Sequence, residues 1–136
     1  MIISFLIFLN SCVYEKNISK EFILKTVKSV DENKIINADL DDKDWLTYGK
    51  NFSETRFSKL DQISRENVND LGIAWSLNLG TKRGIEATPL VVDGIMFLSG
   101  PWSKVYAIDV RKGEFIWKFD PEVPKETGEK ACCDVV

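Results

Sequence analysis

Histidine is absent from the 136 residues, so acid–base chemistry or metal ligation in this segment would have to use other side chains. An excess of positive charge is also missing. Lys and Arg number 18 against 21 Asp and Glu, for a net charge of -3, and the two signs are mixed along the chain. That excludes the basic footprint of a nucleic-acid-binding protein. Long apolar runs are lacking as well. The one candidate, Ile2-Ile3-Ser4-Phe5-Leu6-Ile7-Phe8-Leu9, falls far short of the roughly 20 residues that span a bilayer. It fits the apolar core of a signal peptide, without the positive charge that usually precedes one. Cysteine occurs only three times. The first closes Leu9-Asn10-Ser11-Cys12, which looks like a lipoprotein cleavage box with Cys12 as the lipidated residue, although Asn10 is a less usual member. A plain signal peptide that happens to carry a cysteine is the other reading. Both readings send the chain out of the cytoplasm to an oxidising compartment, here the periplasm, with a membrane anchor through lipid in the first case.

What is present is the composition of a globular protein, 44% hydrophobic and 29% charged, with four Trp and eight Phe that suggest a tightly packed aromatic interior. Residues 1–12 are read as the signal peptide with its cleavage box and 13–44 as a tether with a short helix. Ile18, Phe22, Ile23, Val27 and Val30 recur at loosely helical spacing, and Asp31 is placed to cap a short helix carrying Ile35 and Ile36. Ser64 is a second cap, predicting a turn or two over 65–71 that Gly72 ends in the left-handed conformation. The pattern then changes to period two. Ile73, Trp75, Leu77 and Leu79 alternate with smaller or polar residues as in a half-buried strand. Leu90-Val91-Val92 runs into Asp93-Gly94, a hairpin signal, and 95–98 is the return strand. Strands over 105–108 and 115–119 flank the turn 109–113. The region 88–119 is thus predicted to be a meander of four short antiparallel strands, an all-β unit of the kind that forms one blade of a β-propeller. Such a blade needs neighbours to bury its faces. The chain is therefore expected to be an N-terminal piece of a longer propeller, its domain starting near residue 45 and running through 136.

Three stretches, in order, resemble the pyrroloquinoline-quinone (PQQ)-dependent alcohol dehydrogenases, the family that includes methanol dehydrogenase. The first is Trp45-Leu46-Thr47-Tyr48-Gly49, continuing through Arg56-Phe57-Ser58, Leu60, Gln62-Ile63, Asn67-Val68 and Leu71 to Trp75. It is similar to the lead-in segment of that family. The second, Ala107-Ile108-Asp109-Val110-Arg111-Lys112-Gly113-Glu114-Phe115-Ile116-Trp117, resembles the tryptophan-docking motif that staples adjacent blades. Its logic is physical: Gly113 supplies a turn backbone, Ala107 admits a large neighbour, and Trp117 offers a broad apolar face. The third, Ala131-Cys132-Cys133-Asp134, looks like the family's vicinal cysteine pair.

The resemblance implies an eight-bladed propeller of which this chain holds about one blade, a lead-in strand and short helices. It implies oxidation of an alcohol by PQQ, with a calcium or lanthanide ion in the full-length enzyme and a cytochrome c as electron acceptor. It implies cofactor-binding roles for Glu86, Cys132 and Cys133. In the family the two cysteines form a disulfide that lies flat on the quinone. Adjacent Cα atoms, about 3.8 Å apart, are closer than the roughly 4.4–6.8 Å of an ordinary disulfide, so the ring is strained. Two free thiols, or one thiol bonded elsewhere, remain the alternative. For Glu86, in Glu86-Ala87-Thr88-Pro89, the alternative is a solvated loop carboxylate. Trp102, in Gly100-Pro101-Trp102-Ser103, is read as structural. The family's ion ligands and catalytic Asp lie far downstream of the cysteine pair, so no catalytic or metal residue is expected here. A β-propeller lipoprotein acting as an outer-membrane assembly scaffold is the competing class. It has no need of a strained cysteine ring or of the Glu86 loop.

Overall fold

The computed structural model of the chain describes residues 18–130. The signal segment, Cys12, Cys132 and Cys133 lie outside the described residues.

The helical spacing of the tether becomes helix α1, Lys20–Lys28. Ser19 caps it, its hydroxyl accepting from the Phe22 N–H at 3.1 Å, with Glu21 in the first turn and Lys25 and Lys28 in the last, as the helix dipole favours. Helix α2, Glu32–Ile36, starts where expected. The Asp31 carboxylate accepts from the Lys34 N–H at 2.8 Å.

The lead-in is held by polar side chains. Asn51 is buried and donates through Nδ2 to the Asp39 carboxylate at 2.9 Å and to the Thr55 hydroxyl at 2.9 Å. Lys50 is only 1% exposed and pairs its ammonium with Asp42. Asp44, also buried, accepts from the Asp93 N–H at 2.8 Å and pairs with Lys34 at 2.8 Å. These bonds satisfy groups that would be costly to bury alone. Trp45 then lies along the free edge of the first strand, exchanging backbone hydrogen bonds with Val91 at 2.8 and 2.9 Å.

The meander forms as the alternation predicts. Strands β1 (Leu90–Val92), β2 (Ile95–Gly100), β3 (Lys104–Asp109) and β4 (Glu114–Phe119) pair antiparallel in chain order. Asp93 and Gly94 both take positive φ, +48° and +80°, the twist a two-residue hairpin needs. Leu90, Phe97, Ala107 and Trp117 stand opposite one another in a row across the sheet. The Phe97 and Trp117 rings meet with centroids 6.3 Å apart. Ile95, Tyr106, Ala107 and Ile108 form the buried centre. The pairing steps from Ala107↔Trp117 to Ile108↔Phe115, so Ile116 is the extra residue of a β-bulge.

Two expectations change. The helix predicted over 65–71 shrinks to a 3-10 turn, Val68–Asp70, and Gly72 does not take a positive φ. Side chains compete with the helix. The Asn67 side-chain oxygen Oδ1 accepts from the Ser64 N–H at 2.7 Å while its Nδ2 donates to the Gln62 backbone carbonyl at 2.8 Å. Leu71 is already extended. Over 73–79 the alternation persists, with Trp75, Leu77 and Leu79 half-buried, yet no strand forms. Among the described residues none lies beside this segment to complete a ladder.

Candidate cofactor site

An antiparallel meander sorts its connections onto two ends. The turns at 93–94 and 109–113 share one end, where the Val110 N–H donates to the Gly94 carbonyl at 3.1 Å. The opposite end carries the approach to β1, the loop 101–103 and the exit from β4. Leu90 stands opposite Phe97, so continuing that register brings 86–88 alongside 99–101. The exit of β4 is tied to the same place by Lys104, whose ammonium reaches the Asp120 carboxylate at 2.6 Å. That hydrogen bond holds Asp120 below the usual carboxylate range and Lys104 above the usual ammonium range.

Glu86 therefore sits at the end from which the chain leaves β4 and continues to the 3-10 turn Lys125–Glu129. Its side chain is exposed and, among the described residues, makes no hydrogen bond or ion pair. Trp102 shares this end. It is half-buried at φ +65°, next to Ser103 at +53°, and the Arg83 guanidinium lies 5.0 Å from the centre of its ring. A cation stacked on an indole at this end was not legible from the spacing alone. Among the described residues no group of three or more carboxylates or thiolates is placed to hold a metal ion.

The other end carries a second unforeseen feature. The half-buried indole of Trp75 donates to the Val110 carbonyl at 2.8 Å, and a Cβ built on Gly113 would fall 2.5 Å from Trp75 Cδ2. Gly113, at φ +66°, thus serves both as turn and as seat for an aromatic ring. The Asp109 carboxylate braces this turn by accepting from the Arg111 N–H at 3.0 Å and from its guanidinium at 3.1 Å. Burial pushes the Asp109 carboxyl up, but the Arg111 hydrogen bonds and the nearby Arg111 and Lys112 charges outweigh it and leave it lowered. The sequence showed a docking motif with Trp117 as its tryptophan. That the motif's own turn receives the lead-in Trp75 is a tertiary finding.

Residues 45–135 match the family described as PQQ glucose/ethanol/alcohol dehydrogenase, beta-propeller domain. The chain is 59% identical over 93 residues to a quinohemoprotein alcohol dehydrogenase of Comamonas testosteroni, an alignment covering 68% of this chain and 13% of that protein. The solved structure of the Comamonas testosteroni enzyme superposes with a TM-score of 0.75 at 53% identity, over 82% of this chain and 17% of that one. A 1-butanol dehydrogenase (cytochrome c) of Thauera butanivorans is 53% identical over 93 residues, 68% of this chain and 14% of that protein. A europium-containing methanol dehydrogenase superposes at TM-score 0.68 with 34% identity, over 77% of this chain and 19% of that one. The chain thus spans between about an eighth and a fifth of the proteins it resembles. With a four-stranded meander, a glycine-seated tryptophan and a family match running from Trp45 through the cysteine pair, the chain belongs to the PQQ-dependent alcohol dehydrogenase β-propeller family.

Proposed function

We propose that this chain supplies the opening blade of a periplasmic PQQ-dependent dehydrogenase that oxidises an alcohol and passes the electrons to a cytochrome c. The observation that supports the reading is the placement of Glu86 at the same end of the blade as the exit of β4. The cysteine pair follows that exit in the sequence, and the reading takes it to the same site. The residues present fit one side of such a cofactor. Glu86 offers an exposed carboxylate without a competing partner among the described residues, suited to accept a hydrogen bond at the edge of a polar ring system. PQQ, when bound, supplies the redox chemistry, taking up two electrons and two protons as the alcohol becomes an aldehyde or ketone. This chain's part is binding and orientation: Glu86 from the side, and the bonded pair Cys132–Cys133 as a flat wall. A calcium or lanthanide ion, held by residues outside this chain, completes the full-length enzyme, and no residue here is assigned a catalytic or metal-ligating role. Lipidation of Cys12 would anchor the enzyme to a membrane facing the same compartment.

The test is reconstitution. A full-length polypeptide containing these residues, loaded with PQQ and calcium or a lanthanide, should reduce an artificial electron acceptor or cytochrome c when given a primary alcohol. Glu86→Gln should weaken PQQ binding more than tenfold, the size of one charge-assisted hydrogen bond. Failure of the wild type to bind PQQ would overturn the reading.

A further inference from the structure

Glu86 stands on a segment that forms no strand among the described residues, since β1 begins only at Leu90. What fixes its position is therefore a question of side chains. Three residues upstream, the Arg83 guanidinium lies 5.0 Å from the centre of the Trp102 ring. Between them Ile85 packs on the hairpin: its Cδ1 lies 3.6 Å from where a Cβ on Gly100 would stand, and Tyr106 Cε2 lies 2.9 Å from the same point. The base of the segment is braced too, as the Arg83 N–H donates to the Thr81 hydroxyl at 3.0 Å. The loop that receives these contacts is strained. Trp102 and Ser103 both take positive φ, +65° and +53°, a backbone that bulky side chains resist. A loop of this shape would favour glycine at 102. The tryptophan there keeps an unfavourable backbone and presents its ring to the cation, and such strain is a common mark of a functional constraint.

We propose that Arg83 and Trp102 are positioning residues, clamping the segment 83–88 onto the β2–β3 hairpin so that the Glu86 carboxylate is held toward the quinone. The proposal rests on the reading of Glu86 as a PQQ-binding residue. Each acts through Glu86. The Ile85 contact persists without the clamp, so the loss on breaking it is partial.

The experiment titrates the full-length apoprotein with PQQ and follows binding by fluorescence quenching, alongside the thermal midpoint of each apo variant. Trp102→Gly removes the ring and relaxes the backbone. It should leave the apo midpoint unchanged or higher while weakening PQQ about fivefold, the size of one cation–π contact. Arg83→Gln should weaken binding by the same factor, and Arg83→Lys, which keeps the cation, should restore most of it. Combined with Glu86→Gln, neither Trp102→Gly nor Arg83→Gln should weaken binding further, because both act through the same carboxylate. Unaltered PQQ affinity in Trp102→Gly and Arg83→Gln, beside a weakened Glu86→Gln, overturns the clamp and leaves the Glu86 reading standing. Additive losses in the double variants also overturn it. A silent Glu86→Gln overturns both.

Discussion

The Trp75 indole N–H donates to the Val110 carbonyl oxygen at 2.8 Å, joining residues 35 positions apart in the chain. The contact anchors the lead-in onto the β3–β4 turn at the end of the blade opposite Glu86. It depends on a missing atom, because the ring occupies the space that any side chain on Gly113 would need.

Gly113→Ala should be among the most damaging single substitutions in the blade. The new Cβ meets the indole, and alanine resists φ +66°. Together these should cost about 3 kcal/mol. Trp75→Phe keeps much of the apolar contact and loses the hydrogen bond, for a loss of about 1 kcal/mol. Urea unfolding of the full-length protein measures both, and equal stability of Gly113→Ala and wild type would contradict the seat.

Lys50 is buried against Asp42. Lys50→Ala leaves Asp42 without its ammonium partner and opens a void in the lead-in loop. The loss comes chiefly from the void, because Asp42 is partly exposed and water screens its charge. A double-mutant cycle with Asp42→Asn should recover a favourable coupling between the two side chains. Additive effects would show that the pair contributes nothing.

Acid should loosen the β3–β4 turn. The folded Asp109 carboxyl is lowered, so its unfolded value, about 3.9, lies above its folded one. Its contribution is fully present above the unfolded value and is lost as pH falls through the folded value. Asp109→Asn should therefore be less stable than wild type at pH 6, with the difference shrinking below about pH 4. Parallel denaturation curves at every pH would contradict this.

Cys132 and Cys133 should resist alkylation in oxidised, PQQ-loaded enzyme and both react after reduction. A bond between neighbours is strained, so it should yield to reductant more easily than an ordinary structural disulfide. Replacing both by Ala should weaken quinone binding with little change in the apo melting temperature, the pair lying beyond β4. Mass spectrometry after alkylation decides the bonding, and two modified thiols in the loaded enzyme would refute it.

Residues 31–136 expressed alone should aggregate. Ile73 is 89% exposed and Phe119 54%, and among the described residues the outer edge of β4 has no partner. Bare apolar faces and strand edges are association surfaces. A soluble monomer with a sharp cooperative melt would refute the expectation.

Local rules settled a large part of this chain from the sequence alone. Asp31 caps its helix because a short carboxylate reaches an N–H three residues on. Asp93-Gly94 turns because both residues tolerate positive φ, and strict alternation set the four strands and their order. These are interactions within a few residues, or between chain neighbours, and a pattern of side-chain types records them. The docking motif and the lead-in likewise placed the family. Contacts between distant segments were decided only by tertiary structure. Asn67 bonds around its own backbone and cuts short the helix that Ser64 announces, while 73–79 keeps the alternation of a strand without one to pair with. A lysine reads as a surface residue until Asp42 is folded against it. Trp75 reads as one more apolar position until the turn at Gly113 opens a seat for it, and Arg83 and Trp102 become a pair only when the approach to β1 lies along the β2–β3 hairpin. Alternation states which face a side chain takes; which distant group meets it there depends on register and on the path of the loops, and these are fixed only when the strands have paired.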